Sequence, residues 1–445
     1  MDIKIAFISL GCDKNLVDSE AMLGLLDRDG FVITDDEGSA DIIIVNTCGF
    51  IRDATEEGIE NVVLAGEYKK TGKCRALIVT GCMAQRYADE IFSEMPEVDA
   101  VVGTGDFEKI ALVIKEVLGG KKVRAVTDIN HMISEELFEN RKLSSPGHYA
   151  YLKIAEGCDS HCTYCIIPSL RGRYRSRKIE SLVREAESLC AKGIKEIILV
   201  AQDTARYGID IYGKNELAAL LGELSKIDDL EWIRILYCYP ESITNELIAG
   251  IRDNPKVCNY LDMPMQNGDD EVLKRMGRKM RRADLESLIN KLRTEIPGIV
   301  IRTTFIAGFP GETEAQFENT VEFIKRMKFD KLGVFAYSPE EGTPAAKYPN
   351  QIDEEVRLHR KGLLLDEQKN ISAELLTEKI GKTYDVMVDG RLPEENVYCA
   401  RTYGDAVDID GMVFFESDAD IMAGEMKKVR ITKASDYDLT GVLIE

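Results

Sequence analysis

Short runs rich in Ile, Val and Ala recur at the start of the chain: IKIAFISL at 3–10, ADIIIVNT at 40–47, RALIVTG at 75–81 and DAVVGTG at 99–105. Between them, stretches such as SEAMLGLLDRDG at 19–30 and EKIALVIKEVLGG at 108–120 space their apolar residues at helical intervals. Apolar strand-length runs alternating with helices predict a parallel α/β sheet. A polar stretch around SSPGHY at 144–149 reads as a connection, so a first domain is set at 1–120 and a linker at 121–148.

Six further strand-like runs follow: YLKIAEG at 151–157, EIILVAQD at 196–203, WIRILYCYP at 232–240, YLDMPMQ at 260–266, VIRTTFIAGFP at 300–310 and KLGVFAYSP at 331–339. Helical stretches such as IESLVREAESLCAKG and EAQFENTVEFIKRMK separate them, giving a (β/α)6 run over 149–374. A closed TIM barrel takes eight repeats, so six predict a partial, TIM-like barrel with an open side and a site in the loops after the strands. The open side would admit a large substrate. After a charged helical connector at 356–379, the pattern changes to short alternating strands with Gly and Asp turns, which predicts a small β-barrel over 377–445.

Composition narrows the chemistry. The opening MDIKIAFISLGC shows no basic leader before an apolar stretch, and no apolar run reaches the roughly 18 residues of a membrane span, so a cytoplasmic protein is expected. In a reducing compartment, 11 cysteines point to metal or redox chemistry rather than disulfides, and 4 histidines leave little room for mixed zinc sites. The net charge of −21 opposes non-specific attraction to phosphate backbones, although excess acid also serves solubility. From 377 to 445 there are 15 Asp and Glu against 8 Lys and Arg, a net −7, so an acidic barrel surface is expected.

Two cysteine sets stand out. Cys158, Cys162 and Cys165 form a C-x3-C-x2-C loop after the first barrel strand. Three thiolates in one loop suit a [4Fe-4S] cluster with one iron left open, whereas a structural zinc wants four ligands; a zinc knot completed by His161 or a distant cysteine is the alternative. Cys12, Cys48 and Cys82 each lie just past a strand of the first domain, in SLGC, VNTC and VTGC, where ligands of parallel sheets collect. Cys74 precedes its strand, and with Cys190, Cys238, Cys258 and Cys399 it reads as an ordinary buried or free thiol.

The C-x3-C-x2-C loop on a partial barrel resembles the radical S-adenosylmethionine superfamily. The resemblance implies that the open iron binds S-adenosylmethionine. The GFPGET loop (Gly308, Gly311, Glu312), where glycines let the backbone approach a ligand, and equally Gln202 and Asp203 after the second barrel strand, are candidate cofactor contacts. Taken with the first-domain cysteines and the terminal barrel, the whole chain resembles the methylthiotransferase family. That implies two [4Fe-4S] clusters, S-adenosylmethionine as both methyl donor and radical source, a terminal TRAM domain, and an electron donor such as flavodoxin or ferredoxin. The motifs SLGCDKNLVDSE, AEGCDSHCTYCIIPSLRGRYRSR, AQDTARYG, YLDMPMQ and YSPEEGT are similar to the subgroup that modifies an aspartate of the twelfth small-subunit ribosomal protein, with Asp13 a departure where proline is expected. An acidic barrel would attract such a basic protein and repel tRNA. In the basic stretch RGRYRSRK, Arg171 and Arg173 are expected to hold a cofactor or substrate carboxylate in bidentate pairs, while some cations of the run only balance local acid. Two other readings stay open: a tRNA-adenosine methylthiotransferase, and a non-catalytic iron-sulfur protein that senses redox state.

Overall fold

The four apolar runs near the start form β1 (Lys4–Ser9), β3 (Ile42–Thr47), β4 (Ala76–Gly81) and β5 (Ala100–Val102), joined at the edges by β2 (Val32–Thr34) and β6 (Val123–Ala125). In this computed structural model, which describes residues 3–145, 147–393 and 395–444, the six strands pair in parallel in the order β2-β1-β3-β4-β5-β6. β3 and β4 are buried at every position because both faces are covered. Ile42, Ile44 and Ile78 pack with Val17, Met22 and Leu26 of helix Asp13–Arg28 and with Ile110 and Ile114 of helix Ile110–Leu118. Ile43, Val45, Leu77 and Val79 pack on the other side with Val62 of helix Arg52–Thr71 and with Met83 and Ile91.

All six later runs are strands: β7 (Tyr149–Lys153), β10 (Glu196–Val200), β11 (Trp232–Ile235), β12 (Val257–Asp262), β13 (Val300–Ala307) and β14 (Lys331–Ala336). They form one sheet in chain order, and β10 to β14 are parallel, so their loops share one edge. Sequence reading missed a two-residue ribbon, β8 (Ala155–Glu156) with β9 (Arg175–Ser176), which pairs antiparallel and closes the base of the C-x3-C-x2-C loop. The terminal strands β15 (Thr383–Arg391), β16 (Val397–Thr402), β17 (Val413–Glu416), β18 (Met426–Ala434) and β19 (Leu439–Ile444) close a five-stranded barrel around Val386, Val388, Tyr398, Phe415, Val429 and Ile431.

The chain divides into two compact units: residues 1–144, 151–185 and 338–346, and residues 145–150, 186–337 and 347–445. Within the second, the small barrel is bound to the parallel sheet by buried ions. Glu196 pairs with Arg234 and Arg401, each at 2.7 Å, and Arg401 forks onto Asp389, which also meets His148 Nε2 at 2.8 Å. Lys331 pairs with Asp405, and Tyr260 donates to Asp410. Part of the barrel's acid is therefore neutralised inside the unit, while Glu416, Asp418 and Asp420 stand exposed. Burial alone would raise the pKa of Glu196, but the two guanidiniums hold it below the usual range. Replacing Glu196 by Ala leaves two buried guanidiniums without it and should cost about 3–5 kcal/mol, read as a lower urea midpoint.

Candidate functional site

In the first unit, three neighbouring strands deliver Cys12, Cys48 and Cys82 to the same sheet edge. Cys12 caps helix Asp13–Arg28, Cys48 directly follows β3, and Cys82 begins helix Cys82–Arg86 directly after β4. The departure at Asp13 is the first helical residue, where an acid suits the helix dipole as proline suits the fixed φ.

Amide side chains lace the three loops together. Asn15 Nδ2 donates to Leu10 O at 3.1 Å and to Thr47 O at 3.0 Å, joining the Cys12 and Cys48 loops. Asn46 Nδ2 donates to Asn15 O and Ser19 Oγ, and Thr47 Oγ1 donates to Thr80 O at 2.6 Å beside Cys82. Gly81 has φ +93°, and a Cβ there would lie 2.3 Å from Asn46 Oδ1 and 2.4 Å from Thr47 O. None of these latches was visible as a motif.

Cys158 and Cys162 are buried and Cys165 is half-buried, on a loop held by Cys158 N–H to Gly172 O and Tyr174 N–H to Asp159 Oδ1. Helix Ile167–Arg171 leaves this loop and packs Ile166 and Leu170 against Cys82, so one unit holds both thiol sets. Residues 338–346, from the YSPEEGT motif, strap them further. Glu340 pairs with Arg86 at 2.7 Å and accepts from Arg52 N–H, Arg86 donates to Gly49 O, and Ala345 N–H donates to Thr163 O between Cys162 and Cys165.

All eleven cysteines are free thiols. Burial, and then the neighbouring Cys82 and Cys12, push the Cys48 thiol up to about 12. Burial with Cys162 and Cys158 nearby pushes Cys165 up to about 12 as well. Crowded buried thiols resist ionising unless a cationic centre binds them, which is the donor chemistry of an iron-sulfur core. Among the described residues, no three His, Cys, Asp or Glu side chains stand close enough to hold a single metal ion, and His161 is exposed.

The basic stretch turns largely inward. Arg171 is buried: its Nη1 donates to Asp18 at 2.6 Å and Glu156 at 3.1 Å, its Nη2 to Asn15 Oδ1, and its Nε to Cys82 Sγ at 3.4 Å. It therefore has no free edge for a substrate carboxylate, contrary to expectation. Lys153 joins the same group through Asp18 and Glu156. Burial tends to raise the pKa of Glu156, yet Lys153 and Arg171 hold it far below the usual range. Arg175 donates to the backbone of Arg171 and Arg173, and Arg177 pairs with Glu185. Arg173 is exposed.

In the second unit, Gln202 and Asp203 follow β10, and the GFPGET loop follows β13 at the same sheet edge. Gly308 has φ +74°, and a Cβ there would lie 2.4 Å from Arg357 Cγ, so its close approach is to the chain itself. Gly311 donates to Asn350 O. Glu312 is buried, accepting from Gly308 N–H, Asn267 and Arg360, so it braces the loop rather than facing a ligand. Gln202 is half-buried. Asp203 is buried and accepts from Tyr239 N–H at 3.4 Å, and burial raises its pKa to about 7.

Family models match three stretches: the uncharacterized protein family UPF0004 over residues 4–103, the radical SAM superfamily over 152–324 and the TRAM domain over 380–444. The ribosomal protein uS12 methylthiotransferase RimO of Lachnoclostridium phytofermentans is 51% identical over 439 residues, covering 99% of each chain. That of Clostridioides difficile is 49% identical over 439 residues, covering 99% of this chain and 98% of its own. Among solved structures, the radical S-adenosylmethionine methyltransferase TsrM of Kitasatospora setae aligns with a TM-score of 0.55 at 15% identity, over 90% of this chain and 77% of its own. The cobalamin-dependent radical enzyme OxsB aligns at 0.52 with 13% identity, over 83% of this chain and 56% of its own. At such identities the structural likenesses speak for the fold alone.

Gly81→Ala should displace Cys82 through its clash with Asn46 and Thr47. The expected outcome is a loss of iron and sulfide per purified chain, with far-ultraviolet circular dichroism unchanged.

Proposed function

Since the chain belongs to the RimO family of ribosomal protein uS12 methylthiotransferases, within the radical SAM superfamily, we propose that it methylthiolates an aspartate of uS12. The observation that carries this reading is the gathering of both thiol sets in one unit at the edges where parallel strands end. Cys158, Cys162 and Cys165 would hold one [4Fe-4S] cluster, and Cys12, Cys48 and Cys82 a second. When bound, these groups with S-adenosylmethionine supply a hydrogen-abstracting radical and the methylated sulfur.

The remaining roles fall to this chain's own side chains. The strap through Glu340 and Arg86 keeps the two thiol sets in register. Glu312 and Arg360 fix the GFPGET loop, leaving Gln202 and Gly311 as the cofactor contacts and Arg173 as the cation for a substrate carboxylate. The exposed acids Glu416, Asp418 and Asp420 suit a basic ribosomal protein, while the inward turn of Arg171, Arg175 and Arg177 removes most of the basic patch that tRNA would need. No helix among the described residues is long and apolar enough to cross a membrane. We assign the chain to the cytoplasm, with a flavodoxin or ferredoxin as electron donor.

Mass spectrometry of small-subunit proteins from cells with and without the gene tests the substrate. A methylthio increment on an aspartate of uS12 should vanish with the gene; a lost thiomethyl nucleoside in tRNA instead would favour the RNA-modifying alternative. In the purified enzyme with dithionite and S-adenosylmethionine, Cys162→Ala should abolish formation of 5′-deoxyadenosine. Cys48→Ala should retain it but make no methylthiolated peptide. A wild-type chain forming no 5′-deoxyadenosine would instead indicate a non-catalytic redox sensor.

A further inference from the structure

Arg171 lies where the two thiol sets meet. It ends the short helix that leaves the C-x3-C-x2-C loop, and its side chain reaches the other set, placing Nε 3.4 Å from Cys82 Sγ. The rest of the fork is fully occupied: Nη1 on Asp18 and Glu156, Nη2 on Asn15 Oδ1. Around it, two cations, Arg171 and Lys153, face two carboxylates, Asp18 and Glu156. The group balances without the thiol, so the Nε–H is a donor directed at sulfur rather than at a counter-ion.

Asn15 gives the contact a second effect. Its carbonyl stands 4.0 Å from Cys82 Sγ and would repel a thiolate, but Arg171 Nη2 occupies that oxygen. Its amide nitrogen meanwhile holds Leu10 O and Thr47 O, next to Cys12 and Cys48. One guanidinium thereby orients the residue that ties the Cys12 and Cys48 loops together beside Cys82.

We infer that Arg171 is a positioning residue that donates an N–H···S hydrogen bond to the Cys82 ligand and raises the reduction potential of the cluster held by Cys12, Cys48 and Cys82. The inference rests on the two-cluster reading above. Hydrogen bonds to ligand sulfurs and nearby positive charge favour the reduced, more negative core, and both come here from a residue anchored in the other cluster's loop.

The test uses the full-length chain carrying Cys158→Ala, Cys162→Ala and Cys165→Ala, so that only the first set binds iron. In this background Arg171→Gln and Arg171→Lys are compared by iron and sulfide content and by potentiometric titration of the reduced-cluster EPR signal. The expected result is one cluster per chain in the background and a midpoint shifted to more negative potential in Arg171→Gln. Arg171→Lys, which keeps the charge but not the fork, should shift less. If Arg171→Gln fails to load iron, Arg171→Lys alone is read, and its midpoint should still lie below that of the background. Midpoints unchanged in the loaded variants would overturn the role of Arg171. A background that binds no cluster would overturn the two-cluster reading beneath it.

Discussion

The buried fork of Arg171 is the contact on which the arrangement of the thiols depends. A parallel sheet carries Cys12, Cys48 and Cys82 to one edge, but strand order alone does not fix how three separate loops face one another. Asn15, Asn46 and Thr47 provide the lateral ties, and Arg171 joins those ties to the loop of Cys158, Cys162 and Cys165. The Glu340 strap reaches the same two regions from a distant part of the chain.

Such buried charge has a cost that explains its completeness. Moving ions out of water costs several kcal/mol each unless partners replace the lost hydration. Asp18, Lys153, Glu156 and Arg171 meet that condition by sharing hydrogen bonds in one group; Glu196, Arg234, Arg401 and Asp389 pair in the second unit, where Arg234 Nη2 alone of the Arg234 fork has no hydrogen bond among the described residues. In proteins generally, replacing such ion groups by an apolar core of equal volume is often neutral or stabilising. What the ion groups add is direction, since a charged fork satisfied at every corner tolerates one placement of its neighbours.

The strands were legible because both faces of a parallel sheet are buried, so β3, β4 and β10 read as unbroken apolar runs. β2 and β6, three-residue edge strands with little burial, left no such trace, and the two-residue β8–β9 ribbon is set by a pairing that local pattern does not encode. The placement of Cys12, Cys48 and Cys82 just past strands was legible from the sequence. The role of Arg171 was not, because it sits in a run of cations that resembles an exposed patch while its partner Asp18 lies 153 residues away. Glu340 was visible in YSPEEGT, but its partner Arg86 is 254 residues distant, and only folding brings them together. Glu312 was misjudged for a related reason: a carboxylate after a glycine turn looks free until Arg360 arrives from the following long helix.

The central claim is that one unit brings two iron-sulfur sites close together. EPR of the fully reduced, iron-loaded chain tests it directly, compared with the summed spectra of the two variants that each lack one cysteine set. Two neighbouring paramagnetic clusters should give dipolar splitting or accelerated relaxation absent from the sum. A spectrum equal to the simple sum would contradict the claim.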